Sequence, residues 1–230
     1  MNKLLLILSV FIFINCSADN DWTPIFNGQN LDGWHSYGAE GEFNGWFVED
    51  GILVFDPQKR TEARSSYLTT DKQYKDFELS FEWLIAENGN SGVFWGVVED
   101  GTNEFPYHTG PEIQILDDGY EEYIAERGDI NRAGSLYNLM APSQIVSKHA
   151  NQWNHYLIHI DQTNNEGFLV FNDVEVLRFP VNGPEWEALI ANSPASKWEG
   201  FGKTQTGHIS FQDWGGQVAF RNIKIRVLNQ

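Results

Sequence analysis

From Phe77 to Ile85 the chain alternates well, with Phe77, Leu79, Phe81, Trp83 and Ile85 on one side and Glu78, Ser80 and Glu82 on the other. A period of two is that of a strand with one face in a core. Asn90–Val98 is a second apolar strand, and the flanks Trp46–Val48 and Ile52–Phe55 enclose Glu49-Asp50-Gly51, a hairpin signal. A loop with a short edge strand is expected within Asp21–Gly33 and a short strand over Ser66–Thr69, with a candidate strand over Ser135–Met140. Tyr156–Asp161, Gly167–Phe171 and Val174–Phe179 form a meander, joined by Asn164-Asn165-Glu166-Gly167 and Asn172-Asp173, whose residues tolerate positive φ. Gly207–Asp213 and Gln217–Leu228 close the chain as two strands.

Helical spacing appears once. Pro184 suits a first turn and Trp186, Leu189 and Ile190 share a face, so one short helix is expected near Pro184–Asn192. Gly119–Arg132 is polar and long for a connection, a length common in functional lids, although Tyr120–Arg127 by itself reads as a solvated loop. Roughly a dozen short strands without a repeat or linker point to an all-β sandwich.

The start of the chain is different. Met1-Asn2-Lys3 precedes an apolar run, Leu4–Ile14, broken only by Ser9 and too short to span a bilayer comfortably. The lone cysteine, Cys16, follows, as in a bacterial lipoprotein processing site, so Cys16 is a candidate for lipidation and membrane anchoring; cleavage after Ala18 is the alternative. The expected division is residues 1–15 as signal peptide, 16–21 as tether and 22–230 as one domain, placing the protein in the cell envelope, as a periplasmic or outer-membrane lipoprotein. One cysteine excludes an intramolecular disulfide and a cysteine-based zinc site.

Nine Trp, eight Tyr and sixteen Phe supply either a large aromatic core or platforms for sugar rings. A net charge of -17 argues against nucleic acid as partner. His155 and His159 on the meander read as surface residues, Glu78 as solvated, and Trp22, Trp46, Trp153 and Trp186 as packing residues.

Candidate chemistry concentrates in Thr109–Asp118, where Glu112, Ile113, Gln114 and Ile115 alternate as in a half-polar strand. Oxygen-bearing side chains fixed on a rigid strand suit a carbohydrate or a metal ion. Asp117 is five residues from Glu112 and falls on the opposite face unless a bulge intervenes; one bulge after Gln114 would aim all three groups together.

Several segments, in this order, resemble the bacterial 3-keto-disaccharide hydrolase domain family: Phe26-Asn27-Gly28 with Leu31–His35; Asn90–Trp95; Gly110–Gln114 with Leu116-Asp117; Ala133–Tyr137; Trp153-Asn154; and Gly207-His208-Ile209 through Gln212-Asp213 to Phe220–Ile225. The resemblance implies a concanavalin-like jelly-roll sandwich of two curved antiparallel sheets and action on glycosides oxidised to a ketone at C3. It implies Glu112 as base or metal ligand, Gln114 as substrate or metal ligand, and Asp117 as a second acid/base or ligand. Tyr137 and His35 become candidates for proton transfer; Trp95, His108, Gln212 and Asp213 become candidates for sugar binding. A divalent metal held by Glu112, Gln114 and Asp117 is compatible with this chemistry, and no organic cofactor is implied. Two histidines usual in the family are absent, with Gly119-Tyr120 after Asp118 and Trp214 after Asp213. Two other functions stay open. Glu112-x-Gln114-x-x-Asp117 has the spacing of the bulged catalytic strand of family 16 retaining glucanases, and a non-catalytic sugar-binding module would share the fold.

Overall fold

The computed structural model describes residues 21–39, 43–62 and 66–228; Cys16 and the segment before it lie outside them. In chain order the strands are β1 (Thr23–Pro24), β2 (Trp34–Ser36), β3 (Trp46–Glu49), β4 (Ile52–Phe55), β5 (Leu68–Thr70), β6 (Phe77–Ile85), β7 (Asn90–Val97) and β8 (Glu112–Leu116). Helix α1 (Glu121–Arg127) follows, then β9 (Asn154–Asp161), β10 (Glu166–Phe171), β11 (Val174–Phe179), helix α2 (Gly183–Ala191), β12 (His208–Phe211) and β13 (Val218–Val227).

The strands make two antiparallel sheets. The larger runs β11-β10-β9-β6-β13-β4-β3, with β1 also paired to β13; the smaller runs β2-β5-β12-β7-β8. The alternation of β6 is realised: Phe77, Leu79, Phe81, Trp83 and Ile85 are buried between the sheets, against Ile113 and Ile115 of β8 and Ile209 and Phe211 of β12 in the same core. Several rings meet edge-on there, as in Phe81 against Phe211 at 5.4 Å and Trp83 against Tyr156 at 5.3 Å, while Phe211 stacks on Phe220 at 4.4 Å; ring quadrupoles favour both edge-on and offset-stacked contacts.

The sandwich and the helix near Pro184 agree with the sequence pattern. Helix α1 does not: it lies where a solvated loop was expected. It has no fully buried residue, so its apolar signal, Tyr120, Tyr123 and Ile124, is only a partial stripe packed at the edge of the core. Residues 135–140 do not form a regular strand. They cover the outer edge of β8 through single bridges, Ile113 to Leu136 and Leu136 to Met140, because the chain turns back at Asn138, where φ is 62°. Glu78 is not solvated but buried, accepting from His159 Nδ1 at 3.1 Å and pairing with Arg226.

Register decides the candidate site. Strand β8 pairs with β7 without interruption, from Asn90 opposite Leu116 to Phe94 opposite Glu112. The expected bulge is therefore absent from β8. It lies instead in β7, where the pairing with β12 steps from Phe94 opposite Ser210 to Val97 opposite His208. Gly96 takes up this extra residue at φ 62°, against Gly207, whose own Cβ would collide with the Gly96 backbone. Trp95 follows Val93 into the main core by simple alternation, and the bulge after it puts Val97 beside Phe94 in a smaller cluster with Tyr37 and Tyr67.

Candidate active site

On the smaller sheet, the face turned from the core carries Asn90, Gly92 and Phe94 of β7 and Glu112 and Gln114 of β8, by the period of two. A cavity of about 250 Å³ opens over it. Its floor includes Glu112, Gln114, Asn90, Phe94 and, after β12, Gln212. Loops build its walls: Tyr107 from the β7–β8 connection, Tyr123 and Arg127 from α1, Tyr137 and Asn138 after it, and Trp198 and Phe201 from the turn after α2.

Glu112 is the one carboxyl among the described residues that line the cavity, and it is 7% exposed. Burial holds it well above the usual carboxylate range. Room for it comes from Gly92, since a Cβ there would overlap the Glu112 carboxyl. Gly92→Ala is accordingly expected to displace the carboxyl and lower kcat about 10²-fold with the fold intact, as steady-state kinetics beside circular dichroism would check.

The segment along β8 places Tyr137. Gly134 N donates to Gln114 O, Gln114 N to Ser135 O, and Tyr137 N to Glu112 O, at 3.0, 3.0 and 2.9 Å. The Tyr137 hydroxyl then lies 3.0 Å from that of Tyr123. Burial and the hydrogen bond to Tyr123 raise the Tyr137 phenol, so it stays protonated and able to donate. Burial likewise raises Tyr67, which pairs with the Gln212 side chain. Gln114 donates through Nε2 to Asn90 Oδ1 at 3.3 Å, while its buried Oε1 has no partner. A buried acceptor without a donor, facing a cavity, is a position that a ligand hydroxyl would satisfy.

Glu112, Gln114, Tyr137 and Gln212 thus come together. Five other candidates do not. Without a bulge in β8, Asp117 falls past the strand end, where its carboxylate accepts from the backbone N–H of Asn88 at 2.9 Å and of Gly119 at 3.0 Å; it shapes a turn. The ligand set Glu112, Gln114 and Asp117 is therefore not assembled, and no cluster of three His, Cys, Asp or Glu ligands occurs among the described residues. His35, on edge strand β2, lies between Asp71 at 2.8 Å and Glu99 at 2.6 Å, away from the cavity. Burial alone would depress its imidazole, but those two carboxylates outweigh it and raise it. Trp95 is a core residue packed on Phe179 at 5.9 Å. His108 stands behind the wall, 5.3 Å from the Trp198 ring. Asp213 is buried and accepts from Arg60 Nη2 at 2.6 Å and Ser66 N at 2.5 Å; it anchors the loop next to Gln212.

Residues 21–226 match the family of 3-keto-alpha-glucoside-1,2-lyase-like domains. The chain belongs to this family. A relative from Bacteroides thetaiotaomicron, named 3-keto-disaccharide hydrolase, is 31% identical over 232 residues, covering 90% of this chain and 79% of its own. A crystal structure from Parabacteroides distasonis, provisionally named a glycosyl hydrolase, superposes with a TM-score of 0.81 at 28% identity over 90% of this chain and 94% of that one. The Bacillus licheniformis β-glucanase shares the fold alone, with a TM-score of 0.51 at 14% identity over 90% of this chain and 97% of that one.

In this member of the lyase-like family, pattern reading missed most of the aromatic wall. Tyr123 and Arg127 are four apart, the spacing that sets two helical side chains on one face, and this was the available signal for α1. Phe94 rather than Trp95 faces the cavity by parity with Asn90 and Gly92. Nothing local marks Tyr67, Trp198 or Phe201, which arrive from distant loops.

Proposed function

We propose that this chain is a carbohydrate hydrolase that opens 3-keto-glycosides by removing the C2 proton, eliminating the C1 substituent and adding water. The observation that carries this reading is one buried carboxyl, raised by desolvation, at the floor of a cavity that also presents neutral donors and an unpaired acceptor.

A ketone at C3 makes the C2 hydrogen acidic, because the electron pair left behind delocalises onto the ketone oxygen. Glu112 in its ionised form takes that proton, and its raised affinity for protons brings it nearer the pH at which it must work. Tyr137, kept protonated and held by Tyr123, donates to the developing enolate oxygen. The enolate pair then forms the C1–C2 double bond as the C1–oxygen bond breaks. The departing oxygen takes a proton from water, the hydroxide so formed adds at C1, Glu112 returns its proton to C2, and the sum is hydrolysis. Gln114 Oε1 and the side chains of Asn90 and Gln212 bind sugar hydroxyls.

A retaining glucanase needs two carboxyls about 5 Å apart; with Asp117 committed to a turn, Glu112 has no such partner among the lining residues. The deciding experiment offers the purified protein a disaccharide and its 3-keto form. Cleavage of the oxidised sugar alone is expected. Cleavage of both would replace the proposal with conventional glycoside hydrolysis, and binding without turnover would make the chain a sugar-binding module. Tyr123→Phe, which leaves Tyr137 without its partner, is expected to lower kcat about 3- to 10-fold with little change in KM.

A further inference from the structure

Two of the residues lining the cavity are exposed, Arg127 and Trp214; the others are buried or half-buried, so these two mark the mouth. Trp214 is 54% exposed. Among the described residues its indole has no stacking, cation or hydrogen-bond partner, whereas Trp198 in the same cavity packs on Tyr107 and His108 at 5.2 and 5.3 Å. The loop presenting Trp214 is nonetheless tied down on both sides. Arg60 Nη2 bonds the Asp213 carbonyl and carboxylate. Gln212 N donates to Gly92 O at 2.9 Å, and Asn90 N to Gly215 O at 3.0 Å. A large apolar ring held out to solvent by an anchored backbone is pre-organised for a ligand face.

We infer that Trp214 and Arg127 form the leaving-group subsite, and that the substrates it favours are 3-keto-glycosides with an aromatic aglycone. This rests on the proposed elimination. A cavity of about 250 Å³ is at or below the small end of ligand sites, so it takes the keto sugar ring and leaves the C1 substituent at the mouth. The hydroxyls of a second sugar would need acceptors as well as donors, and the two exposed side chains, an indole and a guanidinium, carry donors alone. An aryl group needs a flat apolar face, which Trp214 supplies. The chemistry agrees. Glu112 is the one lining carboxyl and is occupied with the C2 proton. An aryl oxide leaves with the C1–oxygen electron pair and without prior protonation, since a phenol ionises near pH ~10, and Arg127, which lines the same mouth over the Tyr123 ring at 5.7 Å and 3.4 Å from Glu126, brings a positive charge near it. The aryl oxide then takes a proton from water, and hydration of the sugar proceeds as for any other leaving group.

The test compares kcat/KM for a 3-keto naphthyl glucoside and a 3-keto glucose disaccharide in the wild type, Trp214→Ala and Trp214→Phe. The wild type is expected to favour the aryl substrate. Trp214→Ala should lower the aryl-to-disaccharide ratio about 5-fold or more, and Trp214→Phe should restore most of it. A ratio unchanged in Trp214→Ala, or a wild type that prefers the disaccharide, overturns the subsite while leaving the elimination standing. If neither substrate is cleaved, the elimination itself falls. Calorimetric binding of the same two ligands then decides the subsite: an aryl preference lost in Trp214→Ala supports it, and equal binding by both proteins removes it.

Discussion

Glu112→Gln is expected to lower kcat on a 3-keto-disaccharide by about 10²- to 10⁴-fold, the range for loss of a positioned general base. The amide is nearly isosteric and fits beneath Gly92, so the loss isolates proton transfer from shape. The pH dependence gives the same assignment a second handle. Glu112 must be ionised to take the C2 proton, and burial holds its carboxyl well above the usual carboxylate range. In the wild type kcat/KM should therefore rise with pH through an ionisation above the ordinary carboxylate range, and Glu112→Gln should lack that limb. Stability should move the other way. A carboxyl whose folded pKa is raised binds its proton more tightly in the folded state, so its contribution is fully present below pH 4.5 and is lost as pH rises through the folded value. At neutral pH, keeping this carboxyl buried costs stability relative to the unfolded chain, where it ionises freely in water, and glutamine removes that cost. Thermal unfolding of Glu112→Gln should thus lie above the wild type at pH 7 and converge with it in acid. A variant that keeps full turnover would take the base assignment away from Glu112.

Arg60→Met should cost about 3–5 kcal/mol, the range for stripping one partner from a buried ion pair. For a domain of this size that is a fall in Tm of roughly 6–20 °C. The Asp213 side chain is fully buried, and burial already raises it despite Ser66 N–H and Arg60. Without the guanidinium its proton affinity rises further, so the deficit should be greatest at neutral pH and shrink as the carboxyl is protonated in acid. Unfolding curves at several pH values measure this directly; a deficit independent of pH would mean that Arg60 acts through packing on Phe55, which it overlies at 4.9 Å, rather than through charge. Gln212 and Trp214 flank Asp213, so catalysis should weaken along with stability.

Part of this architecture was legible before any coordinates. The alternation in β6, the hairpin of β3 and β4 and the meander of β9 to β11 are local patterns, and period-two burial forces them into sheets. Within Thr109–Asp118, the same parity placed Glu112 and Gln114 together on one face. Family resemblance added Tyr137 and Gln212, which the structure brings to the same cavity.

What the chain by itself determined was which residues alternate, and hence which can share a face of a strand. Tertiary structure decided which face meets the cavity and what stands over it. A single inserted residue reverses parity, and it lies at Gly96 in β7 rather than after Gln114, which turned Val97 to the side of Phe94 and left Asp117 in a turn. The walls of the cavity come from loops far apart in the chain, among them Tyr67, Tyr123, Trp198 and Trp214. Their meeting depends on strand order and loop packing, which no local periodicity encodes.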